Sequence, residues 1–281
     1  MKLCWITDIH LNFLMLEDRL FFYSSISKES PDAVIISGDI AESPNVEKYL
    51  TEMGEALKIP IYFVLGNHDF YRGSVEETRA AMVSLTKNNP LLSWIGTTDL
   101  KNYNPVLKEG VVVIGKDCFA DGRYGNYKKS TVMLNDHRYI KEFLSEFSEF
   151  PRTYEAEFYS HRLKKMQELA DRDAKDLHQN IEEAITLYNP KKMIILVHVP
   201  PFEEACLFRG QKTDDSHLPF FSSKVTGQIL LKSAKKNKNV DFLVLCGHTH
   251  DAAIFQPLEN LTVKVGKAEY RYPEIQEIIE I

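Results

Sequence analysis

No stretch of this sequence approaches the ~18 consecutive apolar residues that a membrane-spanning helix needs, which argues against a helical membrane protein. The N-terminal run Leu3-Cys4-Trp5-Ile6 is broken by Thr7-Asp8, too early for a signal-peptide core. Cysteine is scarce. Cys4, Cys118, Cys206 and Cys246 are far apart and form no Cys-x-x-Cys pair, and Cys4 and Cys246 lie in apolar runs where a small hydrophobe serves. They read as reduced thiols of a soluble, cytoplasmic protein rather than as a disulfide framework. A basic excess is missing as well: 34 Lys and Arg face 40 Asp and Glu, a formal net charge of −6. That balance disfavours long nucleic acid as a partner. Internal repeats and low-complexity segments are also absent.

What remains is ordinary globular material, 281 residues with 44% hydrophobic and 26% charged, enough for a large core. Short β-branched or apolar runs at Leu3–Ile6, Ala33–Ile36, Ile61–Leu65, Val111–Ile114, Met193–Val197 and Phe242–Leu245 alternate with helix-like stretches, which implies an α/β fold. Ser43-Pro44 has the form of an N-cap followed by N1, and Ser74-Val75-Glu76-Glu77 has capping-box spacing. Residues 134–189 are charged and helix-forming and are expected to be a helical insertion, with His137, His161 and His178 as packing or surface residues. After Gly247 the pattern is all-β: a run at Ala252–Phe255, a turn at Glu259-Asn260, alternation through Leu261–Val265 and a last strand near Ile275–Ile281.

The runs share a property at their last residues. They end in "TDIH" (Asp8, His10), "SGDI" (Asp39), "GNHD" (Asn67, His68, Asp69), "VHVP" (His198) and "CGHTH" (His248, His250). Each motif alone has a bland reading, as a turn, a helix cap or a core histidine. Ligands of open α/β sheets bind outside the carboxyl ends of the strands, so these loops are expected to converge on one crevice. An unrelated cause would have to put metal-type ligands at the same end of nearly every strand. Carboxylate, imidazole and amide oxygen suit Mn, Fe, Zn or Co, and a dinuclear centre of such ions suits hydrolysis of a phosphoester.

The ordered set Asp-x-His, Gly-Asp, Gly-Asn-His-Asp, His, Gly-His-x-His resembles the calcineurin-like metallophosphoesterase superfamily, with motifs from Asp8 to His250. The resemblance implies two metal ions. Asp8, His10 and His250 would hold one, Asn67, His198 and His248 the other, and Asp39 would bridge them. It also implies attack by a metal-activated hydroxide with His68 as general acid or transition-state stabiliser. Asp69 would either orient His68 or cap the following segment, and Gly66 would turn the chain. The implied fold is a four-layer α/β/β/α sandwich of two mixed sheets, here one domain over 1–281 with the insertion at about 134–189.

Departures narrow the branch. Asp39 is followed by Ile40-Ala41-Glu42 rather than by the Asp-Arg-Gly extension of the protein serine/threonine phosphatases, and His68 differs from the residue that the lipid A pathway pyrophosphatases carry there. The chain is more similar to class III cyclic-nucleotide phosphodiesterases, so a phosphodiester such as a (cyclic) nucleotide is the expected substrate. A phosphomonoesterase, a single-strand nuclease and a non-catalytic protein-binding scaffold are the alternatives. Two divalent ions against two ligand carboxylates and a bridging hydroxide leave about +1 locally, enough to attract one phosphate despite the acidic chain. Candidate substrate contacts are Asn12 and Tyr71, just beyond ligand motifs, Arg123 and Tyr124 in "ADGRYGNY", and Arg209 and His217 in "FRGQKTDDSHLPFF".

Overall fold

The computed structural model describes residues 1–97, 99–144 and 155–281. Its strands in chain order are β1 (Lys2–Ile6), β2 (Ala33–Ser37), β3 (Ile61–Val64), β4 (Leu92–Trp94), β5 (Val106–Lys108), β6 (Val111–Gly115), β7 (Lys192–Leu196), β8 (Leu207–Phe208), β9 (Gln211–Lys212), β10 (Asp241–Cys246), β11 (Ala253–Leu258), β12 (Leu261–Val265) and β13 (Glu277–Glu280). The helices are α1 (Leu16–Lys28), α2 (Val46–Leu57), α3 (Val75–Asn88), α4 (Asp136–Tyr139), α5 (Lys141–Leu144), α6 (Glu155–Tyr188), α7 (Leu218–Phe221) and α8 (Lys224–Lys236). One sheet has the order β13-β1-β2-β3-β4 and the other β11-β12-β10-β7-β6-β5, with β8-β9 a separate hairpin. Strands β1 to β4 run parallel to one another, as do β6, β7, β10 and β12, whereas β13, β5 and β11 are antiparallel edges.

Burial explains why the central strands are continuous apolar runs rather than alternating ones. Along β2, Ala33 and Ile35 face the other sheet with Leu243 and Leu245 of β10, while Val34 and Ile36 pack under Phe22 and Ile26 of α1 and Leu50 of α2. On the far side, Phe242 and Val244 pack under Leu177 and Ile181 of α6 and Leu230 of α8. In these central strands both faces are covered, so their residues are apolar whichever way they point, whereas β12 alternates and β11 is partly exposed. The result is the expected α/β/β/α layering.

Local signals were followed unevenly. Ser74 caps α3 by accepting the N–H of Glu77 at 3.1 Å, as the capping-box spacing predicts. The helix expected to start at Ser43-Pro44 starts at Val46 instead, and the Ser43 hydroxyl bonds the Thr78 hydroxyl at 2.8 Å. The short strands β4 and β5 and the β8-β9 hairpin lack a strong apolar run and were not expected. Within 134–189 lie α4, α5 and α6; residues 145–154 fall outside the described residues. The front of this segment is stitched onto the loop after the "GNHD" motif: Arg72 N–H donates to Tyr139 O at 2.7 Å, and Val75 N–H to Glu142 Oε1 at 2.7 Å. All four cysteines are free and buried, and burial pushes the Cys4 thiol up to about 12. No helix among the described residues is long and apolar enough to cross a membrane.

Candidate metal centre

Five loops at the carboxyl ends of β1, β2, β3, β7 and β10 carry the motif residues. Backbone bonds zip them together: Asp8 N–H donates to Gly38 O at 3.0 Å, His10 N–H to Asp39 O at 3.1 Å, and Gly247 N–H to His198 O at 2.9 Å. Asp8, His10, Asp39, His248 and His250 all adopt left-handed backbone, with φ of 49°, 39°, 54°, 74° and 62°. Such conformations cost a non-glycine residue ~1–3 kcal/mol each and persist where surrounding structure imposes them, typically at functional sites. Gly66 has no positive φ, so it is not the conformational turn that the sequence suggested. It makes room instead, since a Cβ there would meet Asp39 Oδ1 at 2.1 Å and His198 Cε1 at 2.7 Å. A Cβ on Gly247 would likewise meet Asp8 Oδ2 at 1.9 Å.

The side chains form two groups. One ligand atom each from Asp8, His10, Asp39 and His250 lies within 4.8 Å of the others. Beside them, Asn67 Oδ1 is 3.0 Å from His198 Nε2 and 2.9 Å from His248 Nδ1, and Asp39 Oδ1 is 3.3 Å from the same His198 Nε2. Asp39 touches both groups. Two carbonyls fix the tautomers: Ser37 O accepts from His198 Nδ1 at 2.9 Å, and Phe220 O accepts from His248 Nε2 at 2.9 Å. The opposite nitrogens are therefore lone pairs aimed at the lone pairs of Asn67 Oδ1, and that arrangement is satisfied by a cation or a proton between them. The donor set thus fits the two metal ions that the sequence motifs imply.

Electrostatics agree. Burial would raise Asp39, but His198, His68 and His10 around it hold it well below the usual carboxylate range. Burial pushes His10 down to about 3, leaving a neutral ring with an electron pair to donate, and its buried Nδ1 has no hydrogen-bond partner among the described residues. His198 is opposed by burial, yet Asp39 and Asp8 carry it up to about 10. The pocket holds positive charge at His198 unless a metal takes the proton's place.

His68 stands apart from the ligand atoms. Its ring stacks on Tyr71 at 4.3 Å between centroids, meets His10 edge-on at 4.6 Å, and has Nε2 3.5 Å from the Tyr270 hydroxyl. Its own backbone N–H donates to Asp39 Oδ1 at 2.9 Å, which fixes the backbone against that carboxylate. Asp69 is buried, and its two oxygens accept from the N–H groups of Ile40, Ala41 and Gly66 at 2.7 to 3.2 Å. Its side chain thus ties the "SGDI" and "GNHD" loops together, rather than bonding the His68 ring or the segment that follows.

A cleft of about 270 Å³ opens over the centre, lined by Asp39, Asn67, His68, Tyr71, Leu134, Asn135, Asp136, Phe208, Phe221, His248, Thr249, His250 and Tyr270. A larger hollow of about 500 Å³ between α1 and Tyr272 carries none of the motif residues. Of the six candidate substrate contacts, only Tyr71 lines the cleft. Arg123 is neutralised by Asp121 at 3.1 Å and Asp171 at 2.8 Å, and Tyr124 lies under the Lys224 ammonium. Arg209 covers the Phe208 ring and His217 pairs with Asp214 at 2.8 Å, both at the rim. Asn12 sits in the short 3₁₀ turn Leu11–Phe13 beneath it. Leu134, Asn135 and Asp136 open the expected insertion, and Tyr270 comes from the tail; neither carries a metal-type motif that could have singled it out.

The fold and this donor set are those of a metallohydrolase. The chain belongs to the calcineurin-like phosphoesterase family, whose model matches residues 1–252, and it is a metal-dependent phosphoester hydrolase. Solved structures of the same fold include a dimetal phosphatase from Danio rerio, at 12% identity over 97% of this chain and 89% of that one with a TM-score of 0.58. A phosphopantetheinyl hydrolase from Mycobacterium tuberculosis is 12% identical over 96% and 90% of the two chains, with a TM-score of 0.61. A 5'-nucleotidase from Candida albicans, also 12% identical, matches over 96% of this chain and 46% of its own, with a TM-score of 0.51. No curated protein matches the sequence.

Proposed function

We propose that the protein hydrolyses a small phosphodiester, such as a cyclic nucleotide, with His68 as general acid. The observation that carries this reading is the charge of the cleft: among the described residues no Lys or Arg lines it, while Asp39 and Asp136 do. With no Lys or Arg among these described residues to add charge beyond that of the ions and the histidines, the site suits a monoanionic diester better than a dianionic monoester or a polyphosphate. Apolar and aromatic walls, with Leu134 and Tyr71 among them and Phe208, Phe221 and Tyr270 as well, give the two ester substituents surfaces to pack on.

When bound, two ions at this donor set neutralise phosphoryl charge and acidify a water. The chain does the rest. Asp39 sets the spacing of the two ligand groups, the carbonyls of Ser37 and Phe220 keep His198 and His248 in the metal-binding tautomer, and Tyr71 holds the His68 ring by stacking. His68 faces the cleft from that stack, placed to hand a proton to the departing ester oxygen. Four imidazoles, two carboxylates and one amide favour Mn, Fe, Zn or Co over Mg or Ca. The reduced cysteines support a cytoplasmic setting, and the acidic chain supports a small substrate rather than long nucleic acid.

The test is a substrate panel on chelated protein reloaded with Mn, Fe, Zn or Mg: bis-nitrophenyl phosphate, nitrophenyl phosphate, cyclic nucleotides and dinucleotides. A higher kcat/KM on diesters than on monoesters is expected with every activating ion. A consistent preference for monoesters would overturn the diester reading.

A further inference from the structure

Asp136 reaches the centre from α4, outside every metal-ligand motif. Its Oδ1 accepts from Asn67 Nδ2 at 2.9 Å and from the Tyr71 hydroxyl at 2.6 Å, and Asn67 Nδ2 also lies 3.2 Å from that hydroxyl. Asn67 must present its oxygen to the metal, but an amide can turn either end towards its neighbours. On one side it meets the ring nitrogens of His198 and His248 at 3.0 and 2.9 Å. Before a cation arrives the lone pair of His248 Nδ1, whose ring donates from Nε2 to Phe220 O, attracts the amide's NH₂ end, which would point the wrong way for metal binding. On the other side it meets a carboxylate, and an ionised acceptor bonds N–H roughly twice as strongly as a neutral one.

We infer that Asp136 is the positioning residue of the second metal site: it holds the NH₂ of Asn67 and thereby turns the amide oxygen towards His198 and His248 before metal binds. The same carboxylate anchors Tyr71, on which the catalytic histidine stacks at 4.3 Å. Asp136 therefore sets one metal ligand directly and the wall behind His68 through one intermediate. The segment bearing it is fixed to the motif loop by the Arg72–Tyr139 backbone bond at 2.7 Å and by Lys141 N–H donating to Gly73 O at 3.0 Å. The helical segment at 134–189 thus contributes to metal retention as well as to the cleft wall. The inference rests on the dinuclear centre and not on which ester is cleaved.

The test is metal titration of the full chain without substrate, by calorimetry with Mn²⁺ and by the visible spectrum with Co²⁺. Wild type should take two ions. Asp136→Ala should weaken one of them by ~10–100-fold, the usual effect of removing an outer partner of a metal ligand, and leave the other unchanged. Asp136→Asn retains an oxygen acceptor for Asn67 and should recover part of the loss, whereas a simple charge effect would make Asn and Ala alike. Tyr71→Phe, which keeps the Asp136–Asn67 bond, should bind both ions within about threefold of wild type. Unchanged binding in Asp136→Ala, equal weakening of both ions, or Asn no better than Ala would overturn the inference. Fewer than two ions in wild type would overturn the dinuclear centre and the inference with it, independently of any substrate result.

Discussion

Two residues separate metal binding from proton transfer. Asp39 Oδ1 lies 3.3 Å from His198 Nε2 and Asp39 Oδ2 3.9 Å from His10 Nε2, so one carboxylate faces both ligand groups. Asp39→Asn removes the charge they share and is expected to release both ions, with a loss beyond the ~10–100-fold typical of outer-shell partners; elemental analysis and rate together check it. His68 coordinates nothing in this geometry, so His68→Ala should keep both ions. A positioned general acid contributes ~10²–10⁴-fold, and only where the departing oxygen needs a proton. The substitution should therefore cost far more on a cyclic nucleotide or alkyl diester than on a nitrophenyl ester, whose leaving group departs as an anion. Equal losses with both ions retained would assign His68 to stabilising phosphoryl charge instead.

At the scale of elements, the exception among the strand ends turns out to be a brace. After β6 comes Asp117 rather than a metal ligand: it accepts from Leu65 N–H at 2.8 Å, from Trp94 Nε1 at 3.1 Å and from Arg79 at 2.8 Å, and its carbonyl receives His198 N–H at 3.0 Å. Arg79 of α3 also forks onto Asp173 of α6 at 2.6 and 3.0 Å, so two helices and two ligand loops meet on one buried guanidinium. Arg79→Met would strip the buried Asp117 of its arginine and leave Asp173 only Arg172 at 3.9 Å, expected to cost ~3–5 kcal/mol in a denaturant melt. Burial opposes ionisation of Asp173 and Arg79 overcomes it, holding Asp173 below its usual range. Without the arginine the buried Asp173 gains by taking a proton, so the deficit of the variant should shrink as pH falls from 7 towards 5. The ligand set was legible in sequence because donor chemistry recurs at the ends of strongly apolar runs, and the double-faced burial of β2 and β10 made those runs conspicuous. Asp117, Arg79, Asp136 and Tyr270 were not legible, because each is an ordinary charged or aromatic residue whose meaning depends on a partner 38 to 202 residues away. Arg123 misled although one neutralising partner, Asp121, stands two residues before it in the same motif; the other, Asp171, lies on α6.

Across the whole molecule the centre joins the two sheets. Asp8, His10, Asp39 and Asn67 follow strands of one, His198, His248 and His250 follow strands of the other, and an unfolded chain scatters them over more than 240 residues. Ions held only by the folded state stabilise it by mass action, ~2.7 kcal/mol per site at a hundredfold excess over Kd. Chelation should therefore lower Tm as well as abolish activity. With a net charge of −6 and no Lys or Arg among the described residues lining the cleft, activity on a small diester should vary little with salt; steep salt dependence on single-stranded nucleic acid would instead favour a nuclease. The size of the metal effect should depend on pH, with a sign set by His198. In metal-free protein its folded value of about 10 exceeds the ordinary 6.5, so the stability it contributes is fully present below 6.5 and is lost as pH rises through 10. A bound ion must displace that proton, which is harder at low pH, by up to ~1.4 kcal/mol for each pH unit between those limits. The Tm gap between loaded and chelated protein should therefore widen from pH 6.5 to pH 9, and loading at pH 8 should release at least one proton, measurable by calorimetry in two buffers of different ionisation enthalpy. A constant gap with no proton release would mean that His198 is already neutral in the metal-free site, and that the lone pairs of His198 and Asn67 are kept apart by something other than a proton.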